Sequence, residues 1–211
     1  MKIGGIVLLG FYNYTVILTY LGMLIAFSGI TFAINGDIHN ALICLLLAGV
    51  CDMFDGKIAS TKERTRQEKR FGIQIDSLSD LIAFGVLPAL LIYKMTEDHV
   101  YSFYICGMYV LCALIRLAYF NVDEEERQSQ TTGSRKVYLG LPVTTVAILL
   151  PVLISLSNRY HWPMEILGPA ALGIIGTAFL LPFPLKKPKL PGKIGLLLCG
   201  SLGFLLLMLE C

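Results

Sequence analysis

Charged residues are scarce in this chain. Only 15% of its 211 residues are Asp, Glu, Lys or Arg, whereas soluble domains carry about 25%. This scarcity excludes an ordinary water-exposed surface over most of the chain. The net charge of +2 is also too small to indicate a nucleic-acid partner.

Sequence patterns typical of zinc or disulfide sites are missing as well. The six cysteines include no Cys-x-x-Cys pair, and most lie inside apolar stretches, which is typical of small packing residues. The three histidines, His39, His99 and His161, all fall near the predicted outer loops, at the opposite side of the membrane from the acidic residues described below. They are therefore poor candidates for metal ligands.

Long apolar runs dominate what remains. The chain is 55% hydrophobic, with a mean hydropathy of +0.70. Because a membrane span needs about 20 mostly apolar residues, we predict an all-α, polytopic membrane helical bundle forming a single domain over residues 1–211. Its spans are expected at roughly 12–35, 39–58, 72–95, 99–121, 139–157, 163–183 and, as a seventh C-terminal span, 192–209.

The connections between these spans alternate in basic charge. The even-numbered ones contain Lys62, Arg64, Arg66, Lys69 and Arg70, then Arg127, Arg135 and Lys136, then Lys186, Lys187 and Lys189. Since cytoplasmic loops carry an excess of Lys and Arg, these connections are predicted to face the cytosol. The protein is accordingly expected in the cell membrane.

Four aspartates interrupt the apolar pattern of the second and third spans. Asp52 and Asp55 are spaced i, i+3, and Asp76 and Asp80 are spaced i, i+4, so each pair shares one helix face. A carboxylate at the bilayer centre costs about 2.5–3.5 kcal/mol, whereas clustered carboxylates suit a pair of hard divalent cations. Pairing with Arg116 or with basic loop residues is the structural alternative, although one intramembrane arginine cannot neutralise four acids. A cation or proton relay in a transporter is another alternative.

The aspartates belong to a longer, spacing-specific frame. Asp52-Met-Phe-Asp55-Gly56-Lys-Ile-Ala59, followed by Gly72-Ile-Gln-Ile-Asp76-Ser-Leu-Ser-Asp80, resembles the signature of the CDP-alcohol phosphotransferase family. The resemblance implies a core of six transmembrane helices with this frame on the second and third. It further implies that Asp52, Asp55, Asp76 and Asp80 hold two Mg²⁺ or Mn²⁺ ions, with Asp80 as the base on the acceptor hydroxyl. Family members are often homodimers, so the resemblance makes a homodimer an expectation.

The same resemblance implies a nucleotide site. Its residues would be Asp52, Gly56, Lys57, Ala59, Ser60 and Gly72. The family's Ala-Arg pair is Ala59-Ser60 here, and the stretch that leads to Gly72 is longer than usual. The missing arginine would hold the CDP group, and Lys57, Lys62 or Arg64 are the basic residues that could replace it.

Three separate segments resemble the phosphatidylserine synthase branch of the family. They are Asp76-Ser-Leu-Ser-Asp80 with the Phe-Gly-Val-Leu-Pro-Ala run that follows, Arg116-Leu-Ala-Tyr-Phe-Asn121, and Gly140-Leu-Pro142. They imply transfer of a phosphatidyl group from CDP-diacylglycerol to L-serine, giving phosphatidylserine and CMP. Glycerol phosphate or inositol phosphate as acceptor, and a non-catalytic lipid-binding relative, are the alternatives.

Three basic residues are candidates for binding the acceptor or a phosphate. Arg116 lies within the fourth span, where it could bind a carboxylate or instead extend to the interface. Arg135 and Lys136 precede the fifth span, where they could contact phosphate or simply follow the positive-inside rule.

Overall fold

The described residues fold into a bundle of seven helices, which confirms the predicted all-α membrane architecture. A computed structural model describes residues 2–3, 6–7, 9–96, 99–130 and 137–186. The helices are α1 (Tyr14–Ile34), α2 (Ile38–Ala59), α3 (Arg66–Asp80), α4 (Leu87–Met95), α5 (Val100–Gln130), α6 (Val146–Tyr160) and α7 (Met164–Leu180). A π-helical turn (Leu81–Val86) joins α3 to α4, and a 3₁₀ turn (Val143–Thr145) precedes α6. The seventh predicted span, 192–209, lies outside the described residues.

Four short strands complete the described elements. β1 (Lys2–Ile3) pairs with β2 (Ile6–Val7), and β3 (Val137–Leu139) pairs with β4 (Pro184–Lys186), both antiparallel. The second pair ties the segment before α6 to the segment after α7.

Helices occupy all six predicted spans between residues 12 and 183. In the part of the chain that the structure describes, four helical stretches are long and apolar enough to cross a membrane: Tyr14–Ile34, Arg66–Met95, Val100–Arg127 and Val143–Tyr160. The apolar helix Met164–Leu180 is shorter. Large apolar side chains such as Leu24, Phe27, Phe103 and Met108 are exposed on α1 and α5, as expected for surfaces in contact with lipid.

Helix α3 begins six residues earlier than the apolar run indicates. A capping box starts it: the Thr65 hydroxyl accepts a hydrogen bond from the Glu68 N–H (3.2 Å), and the Glu68 carboxylate accepts one from the Thr65 N–H (2.8 Å). Asp76 and Asp80 therefore lie well inside a continuous helical element rather than near its first residue. The connection that precedes α3 shrinks to residues 60–65.

The fourth and fifth predicted spans also change their bounds. Helix α5 continues nine residues beyond 121, and its charged end includes an ion pair between Arg127 and Glu124 and another from Glu125 to Arg70. Residues 139–142 are not helical, because Gly140 has a φ of +75°, outside the range of an α-helix. Only glycine fits well here, since a Cβ would also lie 2.9 Å from the carbonyl oxygen of Leu181.

Small residues bring α1 and α2 together. Gly22, Ala26 and Gly29 are buried on α1. A Cβ on Gly29 would lie 2.8 Å from the Cβ of Cys44, and one on Gly22 would lie 3.2 Å from the Cβ of Cys51. Such close contact is typical of small residues at helical spacing. The cysteines within the described residues are free thiols that serve as small packing groups.

The π-helical turn follows directly after Asp80. Its wider bonding is seen at Leu87, whose N–H donates to the carbonyl of Ile82, five residues earlier. Pro88 has no N–H, so one carbonyl of the preceding turn loses a main-chain donor. The buried Tyr109 hydroxyl of α5 donates to the Phe84 carbonyl (2.6 Å) and so ties this turn to α5.

Candidate active site

The four aspartates meet where α2 faces α3. One carboxylate oxygen from each of Asp52, Asp76 and Asp80 lies within 4.8 Å of the others. Asp55, only 8% exposed, joins them on the wall of the same cleft. Helical spacing alone predicts that each pair shares a face, and the structure brings the two faces together.

Helix α1 contributes residues that sequence reasoning did not single out. The Thr19 hydroxyl donates to Asp55 Oδ2 (3.2 Å), and the Ser79 hydroxyl donates to the Thr19 carbonyl (3.4 Å). A sequence signal exists, because Thr19 extends the stripe of small residues that continues through Gly22. The cleft is lined by the aspartates together with Leu18, Thr19, Gly22, Ala48, Cys51, Ser79, Ala83 and Phe84.

These carboxylates have no basic partner among the described residues. None of the four forms an ion pair with lysine, arginine or histidine in the part of the chain whose side chains the structure describes. Two unit charges about 4.8 Å apart repel by about 3 kcal/mol at an effective dielectric constant of about 20. Clustered carboxylate oxygens of this kind are the ligands that hard divalent cations prefer, so the residues fit the metal that the sequence predicts.

Arg116 does not neutralise the cluster. Its side chain is buried, its Nε donates to the Leu141 carbonyl (3.4 Å), and its guanidinium lies over the Phe120 ring, 5.7 Å from the centroid. The alternative in which this arginine pairs with the aspartates is therefore wrong.

The expected nucleotide-site residues surround the end of α2. A Cβ on Gly56 would meet no atom within 4 Å, so there is open space beside the cluster. The Lys57 ammonium lies over the Phe54 ring, 5.1 Å from the centroid. Ser60 caps the helix, and its hydroxyl donates to the Lys57 carbonyl (2.7 Å). Half-buried Ala59 precedes it.

Gly72 lies on the α3 side of the same region. A Cβ placed there would lie 3.0 Å from Arg64 Nη1. The absence of a side chain at Gly72 is what lets this guanidinium lie against α3.

The three segments that resemble the serine-using branch lie next to one another. The Ser77 hydroxyl hydrogen-bonds to Asn121 Oδ1 (2.6 Å), which joins the first segment to the second. Arg116 and the Leu141 carbonyl join the second segment to the third. The N–H of Gly140 donates to the Phe183 carbonyl (2.8 Å) and anchors that third segment to the residues that follow α7.

Two expected phosphate contacts cannot be placed. Arg135 and Lys136 lie outside the described residues. Their role stays a prediction.

Comparison with known proteins agrees with the signature. Residues 12–181 match the model of the CDP-alcohol phosphatidyltransferase family. An archaetidylserine synthase from Methanothermobacter thermautotrophicus is 40% identical over 176 residues, which are 82% of this chain and 69% of the relative. A CDP-diacylglycerol–serine O-phosphatidyltransferase from Saccharomyces cerevisiae is 34% identical over 143 residues, which are 62% of this chain and 51% of the relative.

A third relative is similar over a comparable stretch. It is a CDP-diacylglycerol–serine O-phosphatidyltransferase from Methanocaldococcus jannaschii, 30% identical over 155 residues, which are 74% of this chain and 67% of the relative. The chain thus spans from about half of the yeast relative (51%) to about two thirds of the two archaeal ones (67% and 69%). With the family model covering most of its length, the chain belongs to the CDP-alcohol phosphatidyltransferase family.

Proposed function

We propose that this membrane protein transfers a phosphatidyl group from CDP-diacylglycerol to the hydroxyl of L-serine, giving phosphatidylserine and CMP. The observation that carries the proposal is the cluster of Asp52, Asp76 and Asp80, which holds three carboxylates together without a basic partner among the described residues. The cluster coincides with the family signature, and curated relatives are named for serine transfer. Family membership also favours an enzyme over the transporter that intramembrane carboxylates alone would allow.

The aspartates are the proposed ligands of the divalent ions. Asp52, Asp55, Asp76 and Asp80 would hold two Mg²⁺ or Mn²⁺ ions. When bound, such ions neutralise negative charge on phosphoryl oxygens and on the departing phosphate. The hydrogen bond from Thr19 orients the Asp55 carboxylate, as groups behind metal ligands commonly do.

Asp80 is the proposed general base. A serine hydroxyl is a weak nucleophile at neutral pH, so a carboxylate must take its proton as it attacks. The serine oxygen would form a bond to the phosphorus that bears the diacylglycerol, and the bond from this phosphorus to the CMP oxygen would break. The proton passes to Asp80 and the bonding electrons leave with CMP, so no covalent enzyme intermediate is needed.

Recognition of the acceptor is proposed for the side of the cleft that α5 forms. Ser77 lies next to Asp76 in sequence and bonds to Asn121, so the α5 segment approaches the aspartates. Arg135 and Lys136 are candidates for contact with the acceptor carboxylate or a lipid phosphate. Arg116 is a third candidate, but to bind the acceptor it would have to give up its contacts with the Leu141 carbonyl and the Phe120 ring. The charge pattern supports a cleft that opens to the cytosol.

One observation favours a second donor. The relative that is 40% identical is named archaetidylserine synthase. The same chemistry with an archaetidyl group in place of the phosphatidyl group would use the same aspartates and the same acceptor. A direct comparison of the two donors distinguishes these activities.

The test is CMP release by the purified protein in detergent with Mg²⁺ and CDP-diacylglycerol. L-serine, inositol phosphate and glycerol 3-phosphate are compared as acceptors, with and without EDTA. We expect release that depends on serine and stops with EDTA. Release with another alcohol would overturn the acceptor, and absence of release with every donor and acceptor, in folded protein, would overturn the activity.

A further inference from the structure

Of the three basic residues that could replace the missing arginine, two already have partners. Lys57 lies over the ring of Phe54. The Lys62 ammonium forms an ion pair with Glu68 (3.4 Å). Arg64 differs, because within the residues whose side chains the structure describes it has no hydrogen bond and no ion pair.

The Arg64 guanidinium is nevertheless held in a defined place. Its Nη1 atom lies 3.0 Å from the point that a Cβ on Gly72 would occupy. Gly72, Asp76 and Asp80 are spaced four residues apart, so they follow one face of α3. Because four residues advance a helix by about 6 Å, the guanidinium lies about one turn before Asp76, at the edge of the aspartate cleft.

The turn that carries Arg64 is fixed from two sides. Its own end is closed by the capping box of Thr65 and Glu68. The N-terminal end of α1 also contacts it: Asn13 Nδ2 donates to Glu68 (2.9 Å), and the hydroxyls of Tyr14 and Thr61 are 3.1 Å apart. A group on a fixed turn binds a ligand with little loss of conformational entropy.

We propose that Arg64 binds a phosphate of the CDP group of the lipid donor, in place of the arginine that Ser60 replaces. This inference rests on the proposed function. A guanidinium offers paired N–H donors that match phosphate oxygens, and the Ser60 hydroxyl is already bonded to the Lys57 carbonyl. Arg64 therefore places a positive charge at the edge of a cleft whose aspartates are all negatively charged.

The test measures binding of CDP and of cytidine by calorimetry with Mg²⁺ present, alongside the KM for CDP-diacylglycerol. The variants are Arg64→Ala and Arg64→Lys, and the matched control is Arg66→Ala, an exposed arginine two residues further along. We expect Arg64→Ala to weaken CDP binding by about 10- to 100-fold, as for loss of a charge-assisted hydrogen bond. Cytidine binding, the KM for serine and the melting temperature should stay unchanged, and Arg64→Lys should recover part of the affinity.

A double variant tests whether an arginine at position 60 can replace Arg64 in binding CDP. Ser60→Arg combined with Arg64→Ala should regain CDP affinity, because a guanidinium returns to the end of α2. Equal CDP binding by Arg64→Ala and Arg66→Ala would overturn the inference. So would an equal loss of cytidine and CDP binding with a lower melting temperature, which indicates a structural role.

The two proposals fail in different ways. If the wild type is active and Arg64→Ala binds CDP as tightly as the wild type does, the inference alone is refuted. A wild-type protein that releases no CMP with any acceptor, yet needs Arg64 to bind CDP, refutes the proposed transfer and supports the phosphate contact.

Discussion

The aspartate cleft and the Arg116 region both place charge inside the bundle, but they treat it in opposite ways. The cleft gathers carboxylates that no described basic residue neutralises. Arg116 is instead surrounded by protein groups, with the Leu141 carbonyl and the Phe120 ring against its guanidinium. A buried charge that the protein itself satisfies is typical of architecture, whereas one left without a partner indicates a place for a ligand. The two regions should therefore respond differently to mutation.

The largest expected effect is the loss of activity in Asp80→Asn. Removing a general base typically costs about 10²- to 10⁴-fold in rate, so CMP release should fall by that factor. Without Mg²⁺, the melting temperature should stay level or rise, because one of several mutually repelling charges disappears. Asp37→Asn at the other end of α2 is the control, since asparagine caps a helix as well as aspartate does. Retained activity in Asp80→Asn would remove this residue from the chemistry.

Arg116→Met should show the reverse pattern. Deleting the guanidinium leaves the Leu141 carbonyl without this donor and a gap beside Phe120, which we expect to cost about 1–3 kcal/mol of unfolding free energy. Denaturant unfolding in detergent measures the change, with exposed Arg159→Met as the control. If stability is retained while the KM for serine rises sharply, Arg116 binds the acceptor and the comparison drawn above breaks down.

Divalent ions should stabilise the cleft and not the Arg116 region. Mg²⁺ at about 100 times its dissociation constant adds about 2.7 kcal/mol to a protein that binds it only when folded. The melting temperature of the wild type and of Arg116→Met should both rise with Mg²⁺, and that of Asp52→Asn should rise much less. An equal rise in all three proteins would mean that the ion binds elsewhere.

Thr19→Val should give the smallest effect. Without the hydrogen bond from Thr19, the Asp55 carboxylate is less firmly oriented. Loss of a group that orients a metal ligand typically weakens metal binding by about 10-fold or more. A Mg²⁺ titration of the melting temperature measures the affinity. Thr31→Val is the control, because its hydroxyl bonds only within α1, to Phe27 and Ser28. Equal Mg²⁺ affinity in both variants would assign Thr19 to packing alone.

Sequence reasoning located the acids well because helical spacing determines a shared face without any tertiary information. It placed the start of α3 too late because an apolar run marks where a helix meets lipid, whereas Thr65 and Glu68 mark where the helix begins. That capping pair is visible in the sequence. The position of Arg64 against Gly72, and the bond from Tyr109 to Phe84, join residues that are distant in sequence or depend on local backbone geometry. No local pattern reveals such contacts.

The winding of the π-helical turn between Asp80 and Leu87 sets which way the aspartates face. Each residue of an α-helix turns the chain by about 100°, and a π-helical turn fits about one more residue into the same rotation. If all six residues of 81–86 wound as an ordinary α-helix, the Asp76–Asp80 face would rotate by about that angle relative to the buried Leu91 and Ile92 of α4. A deletion that removes one residue and restores α-helical winding would leave the two faces nearly in register, so the aspartates depend on the match between residue number and winding in this stretch.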